Sequence, residues 1–293
     1  MNYVNVLLNN TPISVTGAGG VDLSLIPVEH IERVEVYRGG GPIQFQSPIG
    51  GIIRIKTKIP SKNTQLHSHI GYGSHSTFTT HAGLSGPLFE TDVLYFALLS
   101  YRDTEGDFPF YNDNNTFYNS LDDFGDRRKN NASNLSYGSL NIQGPVNGEG
   151  LWNISLETNW RESGLAGAHP QYGTTPPDSK STDHGFRLSG ELTNIENSAS
   201  TLRMSSQLFA SHANRTFLSN TTLLGLAIRS IQSQSQQAGL QSQLEYQLTP
   251  NWKINFAGGL HWDTIKQESS NQTSVGLGTN FDQHRFQYFA GLE

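Results

Sequence analysis

The chain is 293 residues long, with 19 Lys and Arg against 25 Asp and Glu and a formal net charge of −6, a balance that argues against nucleic-acid binding, which shows a basic excess. Charged residues make up 15 % and hydrophobic residues 35 %, both low for a soluble globular protein. The absence of cysteine excludes a disulfide scaffold, a thiol nucleophile and a thiolate metal site.

Gly, Ser, Asn, Gln and Thr fill the difference, the mixture of a transmembrane barrel whose strands are greasy on one face and wet on the other. No apolar run approaches the length of a membrane-spanning helix. The opening Met1-Asn2-Tyr3 has neither a basic n-region nor an apolar h-region, so it is not a signal peptide. For an outer-membrane protein this places the true N-terminus upstream.

Residues 1–60 hold short β-like runs punctuated by Gly and Pro. Val4 to Leu8 is one run. Between His30 and Tyr37, Ile31, Arg33, Glu35 and Tyr37 alternate with Glu32, Val34 and Val36. Between Gly51 and Lys58, Ile53, Ile55 and Thr57 alternate with Arg54, Lys56 and Lys58. Asp22 to Pro27 reads as a short helical turn stopped before the proline.

Residues 61–293 follow a different rhythm, with strands of about ten residues alternating apolar and polar. Leu66, Ser68, Ile70 and Tyr72 share a face opposite His67 and His69. After a tight turn near Ser74 and His75 come Phe78, Thr80, Ala82 and Leu84. Val93, Tyr95, Ala97, Leu99 and Tyr101 follow, with a second face, Leu94, Phe96 and Leu98, that is apolar too. Residues 132–143 form the fourth strand, whose obscure phase suggests a bulge.

The fifth and ninth strands are the clearest. Trp152, Ile154, Leu156, Thr158 and Trp160 oppose Asn153, Ser155, Glu157, Asn159 and Arg161. Trp252, Ile254, Phe256, Gly258, Leu260 and Trp262 oppose Lys253, Asn255, Ala257, Gly259, His261 and Asp263. Each apolar stripe carries Trp at both ends, roughly 20–25 Å apart along the membrane normal at the usual rise and tilt, which matches two aromatic girdles around a lipid band. Phe186 to Leu192, Leu202 to Leu208, Leu240 to Leu248 and Phe286 to Leu292 alternate likewise. The count is about ten strands, which leaves an unpaired edge.

Connections alternate in length. Gly86–Thr91, Gly144–Gly150, Asn197–Ser200 and Thr249–Asn251 are short. Asp103–Asn131, Ser163–Asp183, Ala213–Ile231 and Gln267–Asp282 are long. Short turns on one rim and long loops on the other are the periplasmic and extracellular sides of an outer-membrane barrel.

Three phrases in order carry a resemblance: Asp22-Leu23-Ser24-Leu25-Ile26-Pro27, then Ile31-Glu32-Arg33-Val34-Glu35-Val36-Tyr37-Arg38-Gly39, then Ile49-Gly50-Gly51-Ile52-Ile53-Arg54-Ile55-Lys56-Thr57-Lys58. Together they resemble the rear half of the plug of TonB-dependent receptors, which runs directly into barrel strands. Departures are Gly39-Gly40-Gly41-Pro42, Phe45-Gln46-Ser47 and Asn9-Asn10 where the family has Gly-Pro, Tyr-Gly-Ser and Asp-Gly. The expected fold is mainly all-β: residues 1–60 the C-terminal part of a plug, residues 61–293 the first part of a transmembrane barrel of 22 strands when whole.

The resemblance implies active import of a scarce nutrient such as a ferric siderophore or cobalamin, without hydrolysis, prosthetic group or other cofactor. Its implied partners are TonB, through a box upstream, outer-membrane lipid and lipopolysaccharide, and a small-molecule ligand. The implied location is the outer membrane of a Gram-negative bacterium. Arg38, with Glu35 and Arg33 beside it, is the implied plug–barrel lock toward lumenal Glu157, Glu191 or Glu245, since a guanidinium in a crowded lumen needs a carboxylate. The plainer reading is that Arg38 caps a strand. Gly39, Gly50 and Gly51 mark plug turns.

Other clusters have plain readings beside functional ones. His67 and His69 form an H-x-H able to share a metal, yet no third ligand can be named. Phe108, Tyr111 and Tyr118, in an acidic loop, can stack on a flat ligand or belong to a solvated loop. Asp183 and His184 are the residues a rim hydrolase would use, but no nucleophile elbow accompanies them. The alternative to a transporter is a self-contained small porin or adhesin barrel, in which the tenth strand pairs with the first.

Overall fold

Residues 4–13, 21–38, 50–113, 116, 118–146, 150–166, 179–196, 202–218, 228–249, 252–271 and 280–292 are described by the structure, a computed structural model. The opening runs form a four-stranded sheet of β1 (Asn5–Leu8), β2 (Thr11–Pro12), β3 (Ile31–Tyr37) and β4 (Ile52–Thr57), in the order β2-β1-β4-β3. Strands β1 and β4 run parallel and the outer pairs antiparallel. The two central strands bury Leu7, Leu8, Ile52 and Ile55, a core small enough that the sheet depends on what it leans against. The two-residue β2 is too short to show alternation and escaped the sequence reading. Asp22 caps a 3-10 turn at Leu23–Leu25 by accepting from the Ser24 amide. A second 3-10 turn, Val28–His30, leads into β3.

Gly51 has φ +103°, and a Cβ there would stand 2.3 Å from the Tyr37 carbonyl oxygen. Gly51→Ala is therefore expected to force β3 off β4 and cost about 1–3 kcal/mol, the usual range for a strained backbone position. Faster proteolysis within 31–57 is the measurement. Gly50 sits in an exposed turn, and Gly39 lies outside the described residues.

Ten further strands pair in chain order into one antiparallel sheet. They start with β5 (Gln65–Gly73), β6 (Thr77–Pro87) and β7 (Leu94–Thr104). A separate hairpin, β8 (Pro109–Asn112) and β9 (Phe124–Arg127), stands in the first long connection. The sheet resumes with β10 (Ser133–Pro145), β11 (Leu151–Gly164), β12 (Lys180–Glu196) and β13 (Leu202–Leu218), and ends with β14 (Ile228–Thr249), β15 (Trp252–Asn271) and β16 (Asn280–Leu292). Strands β5 and β16 form opposite edges and do not pair with each other among the described residues. The closure that a self-contained small barrel requires is not made among the described residues.

The two faces are inverted relative to a soluble protein. Leu208 is 62 % exposed while its neighbour Gln207 is 4 % exposed. Leu66, Ile70, Ile154, Trp160, Leu240, Trp252 and Leu260 are exposed outward, and Ser155, Glu157, Asp183, Arg187 and Asp263 are buried on the inner side. Exposed apolar area on this scale needs a partner, and lipid is the one that suits a continuous sheet face.

One irregularity read in the sequence and two departures from that reading have physical causes. The second apolar face of β7 exists because Phe96 and Leu98 turn inward and bury with Tyr137. Strand β10 carries no bulge: it pairs without a register shift on both sides. Its phase is obscure because an aromatic, Tyr137, points inward beside Gly138, which has no side chain. In the large sheet the register shifts lie instead at Leu192/Ile195, Ile228/Ser230 and Gln247/Thr249. The last two long connections are partly strand, since β13 runs to Leu218 and β15 to Asn271. Polar residues occupy both faces over most of these stretches, so alternation fades while backbone pairing continues.

Candidate functional site

The small sheet and its 3-10 turns rest on the inner face of the large one through polar side chains. Arg161, Asp183 and Arg215 occupy one row across β11, β12 and β13, because register pairs Arg161 with Asp183 and Asp183 with Arg215. Asp183 accepts from Arg161 Nη2 at 2.7 Å and from Arg215 Nε. Asp22 of the small domain completes the cluster, 2.7 Å from Arg161 and 3.4 Å from Arg215. Arg161 Nη1 also donates to Ser24 Oγ at 2.7 Å. Burial pushes the Asp22 carboxyl up, but hydrogen bonds from Ser24 and Arg161, with the Arg161 charge, outweigh it and hold it below the usual carboxylate range.

Further contacts follow the same wall. Asn10 Nδ2 donates to Glu191 Oε1 at 2.8 Å, and Gln241 Nε2 donates to the Asn10 carbonyl at 3.1 Å. Arg187 Nη1 donates to Thr11 Oγ1 at 2.6 Å. His30, 2 % exposed, lies 3.2 Å from Ser139 Oγ and 3.5 Å from Glu157 Oε1. Its ring stacks on Phe96 and tilts against Tyr137. Glu29 approaches His81 at 3.6 Å. Burial and the neighbouring Arg54 push the Lys56 ammonium down, and the Glu191 charge opposes that from the wall.

The residues expected to lock the plug sit elsewhere. Glu35 accepts from Arg33 at 2.8 Å, from Tyr37 Oη at 3.0 Å and from Arg54 at 3.0 Å, all on the small sheet. Arg33 also pairs with Glu32, and Arg54 donates to the Asn9 carbonyl and to Asn10 Oδ1. Arg38 is exposed just past β3. Of the three candidate carboxylates, Glu191 meets Asn10, Glu157 meets His30, and Glu245 pairs with Lys253 at 2.8 Å. Asp22 was visible in sequence only as the first residue of a short turn and of the first plug phrase. Arg161 and Glu157 were correctly phased inward, but no sequence signal aligned Arg161, Asp183 and Arg215.

Burial would raise the Glu35 carboxyl, yet the hydrogen bonds from Arg33 and Tyr37 and the Arg54 charge bring it from 4.5 to about 2. A depressed folded value means the stabilisation is full above about 4.5 and is lost as pH falls toward about 2. Acid in that window is expected to speed hydrogen exchange in β3 and β4, and Glu35→Gln to flatten the response.

Phe108, Tyr111 and Tyr118 are all exposed, at or between the strands of the β8–β9 hairpin. Phe108 meets His75 edge-on. His69 stacks on His81 rather than converging with His67, and no group of three His, Asp or Glu among the described residues is arranged for a metal. Asp183 and His184 point to opposite faces, Asp183 into the charge cluster and His184 against the outward Trp160 ring at 4.0 Å. They form no catalytic pair.

Residues 1–52 match the family TonB-dependent Receptor Plug Domain. A stretch of 70 residues, 24 % of this chain, is 40 % identical to the vitamin B12 transporter BtuB of Vibrio vulnificus, over 11 % of that protein. In structure the chain resembles the hemophore receptor HasR of Serratia marcescens, solved with its hemophore HasA and heme, with TM-score 0.65, 10 % identity, and coverage of 99 % of this chain and 52 % of that one. It also resembles the siderophore receptor PiuA of Acinetobacter baumannii, with TM-score 0.62, 10 % identity, and coverage of 99 % and 48 %. For the ferric yersiniabactin uptake receptor FyuA of Yersinia pestis the values are 0.54, 14 %, 99 % and 52 %. The chain thus spans about half the length of these solved receptors. A segment that matches the plug family is thus seated on the polar inner face of a ten-stranded antiparallel wall, and the whole has the fold of part of the solved TonB-dependent receptors.

Proposed function

We propose that this chain serves a TonB-dependent active transporter in the outer membrane of a Gram-negative bacterium, importing a ferric siderophore or cobalamin without altering it chemically. The observation that carries the reading is the junction itself. A small sheet that cannot bury a large core is held to a lumenal wall by Asp22 against Arg161 and Arg215, with Asp183 completing charge balance. Charge-balanced ion pairs of this kind hold a stopper at rest and part without exposing apolar core.

In this reading residues 1–60 belong to the plug and 61–293 to the barrel. TonB pulls from a box upstream of the plug, and lipid with lipopolysaccharide covers the outward face. Phe108, Tyr111 and Tyr118 contact the ligand outside the membrane, and Arg38 meets a wall carboxylate as a second lock beside the Asp22 cluster.

The test is uptake in cells carrying the gene in its chromosomal reading frame. Cobalt-labelled cyanocobalamin or iron-loaded siderophores are expected to accumulate only when both this gene and TonB are present. Uptake that persists without TonB ends the transporter reading, and accumulation of neither probe ends the assignment of ligand class.

A further inference from the structure

One register row crosses the lumenal wall from Arg102 on β7 through Leu135 on β10 to Arg161, Asp183 and Arg215. It sets three guanidiniums against one carboxylate. Arg102 lies two residues before the end of β7 and Arg161 three before the end of β11, and both strands lead there into long connections. The row therefore stands at the level that the long loops surround. Between β7 and β13 of this sheet, the lumenal rows on either side of it hold no Lys, Arg, Asp or Glu.

The two carboxylates of the cluster are held differently. Asp183 is 3 % exposed and fixed between both arginines by the backbone ladders. Asp22 arrives from the plug, and its side chain is 30 % exposed. Its turn buries no residue. Among the described residues the turn's polar contacts to the wall all run through the two arginines, Asp22 to both and Ser24 to Arg161.

Charge decides what could stand where Asp22 stands. Arg161, Arg215, Asp183 and Asp22 cancel. Without Asp22 the arginines keep one uncompensated positive charge, in a partly buried place where attraction is stronger than in water. Arg102 adds another: it is exposed and has no ion-pair or side-chain hydrogen-bond partner among the described residues. A cation in place of Asp22 is repelled, and a neutral group leaves a guanidinium unpaired. A carboxylate or a phosphate restores the balance, since either presents two oxygens to a guanidinium edge.

We infer that Asp22 is a place-holder in an anion site: a carboxylate or phosphate group of an incoming ligand displaces it from Arg161 and Arg215, with Arg102 drawing the group in, and so frees the turn at residues 22–26 from the wall. Seating of the turn and binding of the anion then oppose each other, and by linkage a substitution that unseats the turn tightens the anion. The identity of the ligand that carries the anion rests on the transporter reading; the exchange itself does not.

The test uses the full-length protein in detergent, with a nitroxide on Leu23→Cys as the single accessible thiol; Leu23 is 42 % exposed and makes no contact in the cluster. Citrate is the carboxylate probe, pyrophosphate the phosphate probe, and sodium chloride at matched ionic strength controls for screening. The label is expected to gain mobility with at least one probe and not with chloride, and the probe that acts identifies the anionic group. In Asp22→Asn the label is expected to be mobile from the start, and calorimetry to show that probe binding several-fold more tightly than in the parent. Arg102→Gln is expected to weaken the probe several-fold while leaving the label immobile at rest. An equal response to chloride, no response to either probe, or an Asp22→Asn protein that binds no more tightly than the parent overturns the inference, and unchanged binding in Arg102→Gln removes the role given to Arg102. No readout here involves TonB or uptake, so failure of this test leaves the uptake test standing, and failure of uptake leaves this one.

Discussion

Asp183→Ala is expected to be among the most damaging single substitutions in the wall, costing about 3–5 kcal/mol, the usual penalty for breaking a buried pair from one side. Asp183 is 3 % exposed and lies between Arg161 and Arg215. Its loss leaves two guanidiniums converging on Asp22 alone, on strands that cannot move apart because backbone ladders hold them in register. Loss of heat-resistant migration on gels at lower temperature reports the wall. Asp22→Asn is the companion. It leaves the wall intact and weakens only the plug arm, whose side chain is 30 % exposed. The expected result is normal wall stability with a looser plug, read as increased entry of large antibiotics. An Asp183→Ala protein as heat-resistant as the parent would remove the cluster from any structural role.

Leu208→Arg tests the solvent on the outer face. Leu208 is 62 % exposed on β13, in the lipid band between the two tryptophan rows. A charge there is expected to cost about 2–4 kcal/mol near the bilayer midplane and less toward either interface. Gln243→Lys, on the lumenal face of β14, is expected to stay within about 1 kcal/mol, since lumenal positions tolerate polar change. Folding into lipid vesicles from denaturant measures both. In a water-soluble sandwich the order reverses, with Leu208→Arg harmless and improving solubility; that outcome would sink the membrane assignment.

Much of this arrangement is legible residue by residue. Trp152 and Trp160 point outward from the same stripe as Ile154, and Glu157 and Arg161 point inward, as alternation alone requires. The three plug phrases become a 3-10 turn, β3 and β4. Other features are not legible. Phe96 and Leu98 look like a broken pattern until His30 is found packed on Phe96 and Tyr137. The long polar run of β14 looks like loop because both of its faces are polar. Arg33 and Glu35, the conspicuous charges of the plug, brace the small sheet with Arg54, while inconspicuous Asp22, Asn10 and Thr11 reach the wall.

The amino-acid order by itself determined the alternation of faces along most strands of the large sheet and their number there, about ten. Both are local, because a period of two along an extended backbone needs no knowledge of the partner strand. Only the tertiary structure decided which side chains meet. Pairing Arg161 with Asp183 and Arg215, leaving Arg187 and Glu157 opposed but apart, and seating Thr11 and His30 on them all depend on register. Register is set by turn lengths, bulges and packing between distant segments, and a shift of one residue would turn a wall group such as Asp183 to the outer face.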